Sequence, residues 1–227
     1  MPVSLALRGV RVRYGPVEAL HGVDLAFPAG AVTALLGRNG AGRSTVLRTL
    51  AGLLSPAAGR VEWDGRDVTG WTASERARDG MALIPDGHGV FAGLPVRDNL
   101  LVFAGGNPVD PALDAFPVLR KRLGQQAGTL SGGEQQMLAV SRALLRPSRV
   151  LLLDELSQGL APRVVAQLYD VVGQLAAGGQ RTVVLVEQYA GEALRRADVA
   201  YVLRRGRVAF AGEPGELLSD GHVALFD

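Results

Sequence analysis

Ala31-Val32-Thr33-Ala34-Leu35-Leu36 runs straight into Gly37-Arg38-Asn39-Gly40-Ala41-Gly42-Arg43-Ser44-Thr45, and the fold is decided at that junction. The first stretch is an apolar run, as expected of a parallel strand buried on both faces. The glycines at 37, 40 and 42 then let backbone N–H groups converge on an anion with no side chain in the way. A helix is expected from about Gly42–Arg43 to Gly52. Its positive N-terminal end adds roughly 0.3–2 kcal/mol for an anion seated there. Strand, glycine loop and helix in this order make a phosphate cradle. A plain structural glycine turn would use the same residues, so the rest of the chain has to decide between the two.

Upstream, Val10, Val12 and Tyr14 alternate with Arg11 and Arg13, a period of two that reads as a half-exposed strand. Val23 to Phe27 reads as its partner after a turn around Gly22. Downstream, Val61 to Trp63 followed by Asp64-Gly65 predicts a hairpin with a type I′ turn. A strand at Met81 to Ile84 leads into the loop Pro85-Asp86-Gly87-His88-Gly89. Short helices are expected between about Pro95 and Thr129, interrupted at Gly105-Gly106-Asn107-Pro108. A longer helix follows with Met137, Val140 and Leu144 along one face. Buried strands at Val150–Leu153 and Thr182–Val186 flank a helix opened by Pro162. Strands at Val199–Leu203 and Arg207–Ala211, then a short helix near Glu213–Leu218, close the chain. Strands alternating with helices imply an α/β fold with a parallel sheet core. The sequence reads as one domain over 1–227, with a helical subdomain at about 87–145 inserted in the core.

Composition sets the outer bounds. A chain of 227 residues is long enough for one sizeable α/β domain. A net charge of +2 is too small to argue for nucleic acid. No apolar run approaches the roughly 20 residues that span a bilayer, and the opening Met-Pro-Val-Ser-Leu lacks the pattern of a signal peptide. A soluble, cytoplasmic protein is expected. There is no cysteine, which excludes disulfides and thiolate metal sites. Lys121 is the only lysine, and the basic character comes from arginine.

Two further segments lift the glycine loop above a turn. In Leu130-Ser131-Gly132-Gly133-Glu134-Gln135-Gln136, Ser131 and Glu134 have the spacing of a capping box and start a helix. Soon after, Val150-Leu151-Leu152-Leu153 ends in Asp154-Glu155. Two carboxylates at the end of a fully apolar strand are rarely structural, because burying unpaired charge is costly.

The order and spacing of these three segments resemble an ABC-type ATP-binding cassette. The resemblance implies a P-loop NTPase (RecA-like) core with an antiparallel β subdomain and a short α-helical subdomain, and it implies ATP and Mg²⁺. Residues Gly37, Arg38, Asn39, Gly40, Ala41, Gly42, Arg43, Ser44 and Thr45 would hold ATP, with Tyr14 against the adenine. Ser44 and Asp154, with Asp86, would serve Mg²⁺, and Glu155 would polarise the attacking water beside Asp86 and Gln188. Leu130, Ser131, Gly132, Gly133, Glu134 and Gln135 would face the ATP of an opposite subunit, so that a complete site needs two chains.

Tyr14-Gly15, Glu18-Ala19-Leu20-His21, Gly159-Leu160-Ala161-Pro162, Val186-Glu187-Gln188 and the tail Gly215-Glu216-Leu217-Leu218 narrow the resemblance to the second ATPase subunit of branched-chain amino acid importers. That branch implies an ATPase coupled to transport, peripheral on the cytoplasmic face of the cell membrane. Its partners would be a second ABC ATPase subunit, in a hetero- or homodimer, two transmembrane permease subunits and, indirectly, an extracytoplasmic substrate-binding protein, with no nucleic acid. Two positions depart from the family. Arg43 stands where it has lysine, and Asp86 stands for a longer glutamine or glutamate. Guanidinium keeps the charge but is planar and wider than ammonium, so turnover is expected to be reduced. Arg43 is open to two readings, a tolerated exchange in a lysine-poor chain or a slowed, regulatory ATPase. Two other functions compete with the importer subunit: a nucleotide-binding regulatory subunit with weak ATPase, and a soluble non-transport ABC ATPase. Arg120-Lys121-Arg122, in a helical stretch that is short for the family, reads as a solvated face.

Overall fold

The structure is a computed structural model that describes residues 3–87, 89–188 and 190–218. His88 of the expected loop and the Met1-Pro2 opening lie outside the described residues. The chain begins with β1 (Val3–Tyr14), β2 (Val17–Pro28), β3 (Val32–Leu36) and α1 (Arg43–Leu50), then β4 (Ala58–Trp63), β5 (Arg66–Asp67), α2 (Ala73–Arg78) and β6 (Met81–Ile84). Helices follow as α3 (Val96–Ala104), α4 (Asp110–Ala115), α5 (Pro117–Arg120), a 3₁₀ turn at Ala127–Thr129 and α6 (Gly132–Leu145). The second half contains β7 (Val150–Asp154), α7 (Pro162–Ala176), β8 (Thr182–Glu187), α8 (Ala190–Arg196), β9 (Val199–Arg204), β10 (Arg207–Gly212) and α9 (Pro214–Leu218).

The strands form two sheets. One is four-stranded and antiparallel, in the order β2-β1-β4-β5; the other is six-stranded, in the order β10-β9-β3-β8-β7-β6. In the larger sheet every pairing from β9 to β6 is parallel, and only the edge strand β10 runs antiparallel. Strands β3, β7 and β8 are buried at every position, because both faces of this sheet are covered. Alternation along them separates two cores. Ala34, Leu36, Leu151, Leu153, Val183 and Leu185 face the core built with α3 to α7. Leu35, Val150, Leu152, Val184 and Val186 face α1 and the antiparallel sheet. The C-terminal ends of β3 and β7 therefore emerge on either side of β8, at one sheet edge, where the phosphate loop and the carboxylates sit.

Two expectations needed correction. The turn between the first strands lies at Gly15-Pro16, with Tyr14 paired to Val17, not around Gly22. Val10 pairs with Val23 and Arg11 with His21, so Gly22 is the extra residue of a bulge within β2, at φ 77. The helix after Ser131 is also buried on more than one face: besides Met137 and Val140, its Leu138, Ala139 and Ala143 lie in the core, while Leu144 is only half-buried. The type I′ turn is present as expected, with Asp64 at φ 48 and Gly65 at φ 76. Arg120-Lys121-Arg122 is exposed, with Arg120 paired to Asp114 and Arg122 to Glu134.

Sequence reading passed over α2 and α8. Thr72 and Glu75 form a reciprocal capping box at the start of α2, a signal that was legible three residues apart. Helix α2 delivers Arg76, buried at 1% exposure, whose guanidinium donates to the carbonyls of Thr49, Leu50 and Val68 at 2.8, 2.6 and 2.7 Å. A cation on these last carbonyls satisfies groups that the end of α1 leaves open and complements its negative pole. The far end of the phosphate-loop helix is thereby fixed.

Candidate active site

Gly42 precedes α1 at φ 106 and gives the helix no side-chain cap, and no acidic residue stands in its first turn. The N–H groups there are left to an outside acceptor. A side chain at Gly40 would meet nothing within 4 Å, so the loop is open at that position. Tyr14, Gly40, Gly42, Arg43, Ser44, Thr45, Asp86 and Glu155 line one cleft of about 490 Å³, together with Ala19, Asn39 and Gln158. The Tyr14 hydroxyl is 3.4 Å from Thr45 Oγ1, and the ring is 43% exposed at the mouth of the loop.

At the end of β7, Asp154 is buried and accepts a hydrogen bond from Ser44 Oγ at 3.2 Å. Burial pushes its carboxyl above the ordinary range, the Ser44 bond opposes this, and the charges of Glu155 and Asp86 push it further up. A dication beside Asp154 would relieve that unfavourable charge. Ser44 and Asp154 supply hard oxygen donors, and among the described residues no group of three or more His, Asp or Glu could enclose a metal unaided. That donor set fits Mg²⁺, which keeps water and phosphate ligands and needs few from protein. Asp86, exposed after β6, is close enough for its charge to reach Asp154.

Glu155 follows at φ 47, a left-handed conformation that a residue other than glycine rarely adopts. Its backbone N–H is held by Val186 O at 2.9 Å, which fixes the turn against β8. Such strain, roughly 1–3 kcal/mol, persists where the surroundings over-determine it, and it is concentrated at functional sites. Gln188 lies directly beyond β8, whose Glu187 pairs with Leu36, so it emerges at the same sheet edge; it does not line the cleft.

The remaining expected segment stands apart. Ser131 is exposed and caps α6 through the predicted capping box: Glu134 N donates to Ser131 Oγ at 3.4 Å, and Ser131 N donates to Glu134 Oε2 at 3.0 Å. Gln135 Nε2 donates to the Leu130 carbonyl at 3.1 Å. None of residues 130–135 lines the cleft that holds Arg43 and Glu155. One chain presents two separate surfaces.

Three residues were missed by sequence reading. Ala19 and Gln158 line the cleft. Glu187 is 1% exposed and accepts bonds from Ser157 N at 3.2 Å, Ser157 Oγ at 2.7 Å and the Tyr169 hydroxyl at 2.8 Å. Burial raises the Glu187 carboxyl, and these three bonds pull it back. It joins the segment after the β7 carboxylates to β8 just before Gln188. Replacing it with alanine strands the donors of Ser157 and Tyr169, each costing about 1–3 kcal/mol when left unpaired. Glu187→Ala should therefore lower unfolding free energy by roughly 2–4 kcal/mol, measured by urea denaturation; a change below about 0.5 kcal/mol would show that the bonds carry no stability.

Comparison with known proteins fits this geometry. The sequence pattern of the ABC transporter family matches residues 20–158. The chain is 41% identical over 228 residues to the high-affinity branched-chain amino acid transport ATP-binding protein BraG of Pseudomonas aeruginosa, covering 96% of this chain and 97% of that one. It is 39% identical over 221 residues to a probable branched-chain amino acid transport ATP-binding protein, LivF, of Archaeoglobus fulgidus, covering 93% and 94%. Among solved structures, the ADP conformation of an ATP-binding cassette of an ABC transporter superposes with a TM-score of 0.83 at 25% identity, covering 99% of this chain and 98% of that one. An ATP-bound bacterial Atm1-family ABC exporter gives a TM-score of 0.86 at 26% identity, covering 98% of this chain and 41% of that one. The α/β fold, with its antiparallel sheet beside a mostly parallel one, is thus that of the ABC ATPase domains expected from the sequence, and the chain belongs to the ABC transporter family.

Proposed function

We propose that the chain is the ATP-hydrolysing subunit of an importer of branched-chain amino acids. The observation that carries this reading is the 41% identity to a branched-chain amino acid transport ATP-binding protein over 97% of that protein's length. Among the described residues no helix is long and apolar enough to cross a membrane. On this reading, which rests on the likeness to transport ATP-binding proteins, the chain works at the cytoplasmic face of the membrane, bound to two permease subunits and paired with a second ABC ATPase subunit. An extracytoplasmic binding protein delivers the amino acid. Relatives matched along their whole length are transport subunits, so a regulatory subunit or a soluble ATPase is not favoured.

The residues divide the chemistry. Backbone N–H groups of residues 37–45 and the Arg43 guanidinium bind the phosphates, and Tyr14 packs on adenine. Ser44 and Asp154, with Asp86, serve Mg²⁺, which would neutralise charge on the phosphates. Glu155 accepts the proton of the attacking water, and Asp86 and Gln188 orient that water. Ser131, Gly132 and Gly133 complete the site of the opposite subunit, and the helices from 87 to 145 form the subdomain that docks a permease. Deleting the gene from its host should abolish uptake of labelled leucine, isoleucine and valine. Restoration by the wild-type gene but not by Glu155→Gln is the expected pattern; unchanged uptake after deletion would reject the assignment.

Arg43 retains the charge of the family's lysine, and Glu155 is present as base, so hydrolysis is slowed rather than abolished. Arg43→Lys should leave ATP affinity within a few-fold and raise turnover of the assembled transporter by about 3–100-fold, roughly 0.7–2.7 kcal/mol of barrier. A fall in turnover would mean that the site is tuned to arginine.

A further inference from the structure

Arg43 does not point idly into the phosphate loop. Its guanidinium is 4% exposed, and Nη2 donates to Glu155 Oε1 at 2.7 Å and to Asn39 Oδ1 at 3.2 Å. The glutamate side chain is 10% exposed, so this ion pair is shielded from solvent. The second nitrogen, Nη1, is buried with no hydrogen-bond partner among the described residues. Arg43 lines the cleft beside Gly40, Gly42 and Ser44, and its unpaired guanidinium nitrogen leaves it a donor that an anion entering the cleft can satisfy.

We propose that Arg43 is a latch on the catalytic base: with no nucleotide bound it holds Glu155, and ATP draws the guanidinium onto its phosphates and frees the carboxylate for the attacking water. The inference rests on the ATP-hydrolysing reading above. The planar fork of arginine suits a hand-over, because Nη1 can take a phosphate oxygen while Nη2 still holds Glu155. An ammonium group offers no such fixed pair of donors. The phosphates then win Nη2 as well, since they carry more charge and more acceptors than one carboxylate. Glu155 is kept from activating water until phosphate is in place, and the backbone at φ 47 holds it within reach of the cleft throughout. The same pairing makes ATP binding compete with an internal anion, which weakens affinity.

The test is a double-mutant cycle on the isolated chain, read as ATP affinity by calorimetry in EDTA, where nothing is hydrolysed. Glu155→Gln should tighten ATP binding about 5–30-fold when Arg43 is present and less than about 2-fold in an Arg43→Met background. Equal tightening in both backgrounds would mean only that a negative charge had been removed near the phosphates, and would overturn the latch. Should Arg43→Met bind ATP too weakly to measure, thermal unfolding without nucleotide supplies the second cycle. There Glu155→Gln should lower the melting temperature of the Arg43 chain and leave that of Arg43→Met unchanged, and additive effects would overturn the proposal. Failure of the wild-type chain to bind ATP at all would instead reject the function on which the latch rests.

Discussion

Gly40→Asp is expected to weaken ATP binding by at least about 100-fold while leaving the fold intact. An added carboxylate near 4 Å from a phosphate charge costs on the order of 4 kcal/mol at the effective dielectric of a protein surface. At low ionic strength that exceeds the roughly 2.7 kcal/mol that 100-fold in affinity requires. The position separates binding from folding. A Cβ at Gly40 meets nothing within 4 Å, so the cost to folding is confined to the backbone strain of φ 79, which aspartate bears better than most residues. Gly42→Asp would be a poorer test, because its Cβ would come within 2.8 Å of Leu20 Cδ2 and 3.2 Å of the Ala19 carbonyl. Calorimetry beside a thermal melt checks the result. Unchanged affinity in a folded Gly40→Asp protein would remove the phosphate loop from the account.

Glu155→Gln should reduce turnover of the assembled transporter by about 10²–10⁴-fold, the usual contribution of a positioned general base. Binding should survive and tighten, because the loop backbone and the Ser44–Asp154 pair are unchanged while Arg43 loses its internal anion. ATP would then persist between the cassette of one subunit and the Ser131 segment of the other. Light scattering should reveal an ATP-dependent dimer, formed with the partner ATPase if not with a second copy of this chain. Monomer alone under both conditions would contradict a site shared between two chains. The separation of Ser131 from the cleft holding Glu155 is the structural reason to expect sharing.

What the sequence made legible was local. The apolar runs of β3, β7 and β8, the glycine loop and the capping box at Ser131 each express a short-range rule, and each lies within a residue or two of its expected place. Gly22 misled because a glycine at positive φ serves a turn or a bulge equally well, and only the pairing of Val10 with Val23 and Arg11 with His21 separates the two. The ion pair between Arg43 and Glu155 spans 112 residues of chain, and the tie from Tyr169 and Ser157 to Glu187 joins β8 to two other segments. Side-chain partners of this kind depend on how parallel strands are ordered, which no local pattern records. Arg43 was visible as a departure from the family; that it reaches the base was not.

The central claim, that this chain drives an importer by hydrolysing ATP, is tested most directly by phosphate release in the complete transporter. Both ATPase subunits and both permeases would be placed in lipid vesicles, with and without the amino-acid-loaded binding protein. The account predicts measurable hydrolysis that rises when loaded binding protein is added, with leucine moving across the membrane at the same time, and loss of both when Glu155→Gln replaces the wild-type chain. Hydrolysis that ignored the loaded binding protein, or that continued undiminished in Glu155→Gln, would contradict it.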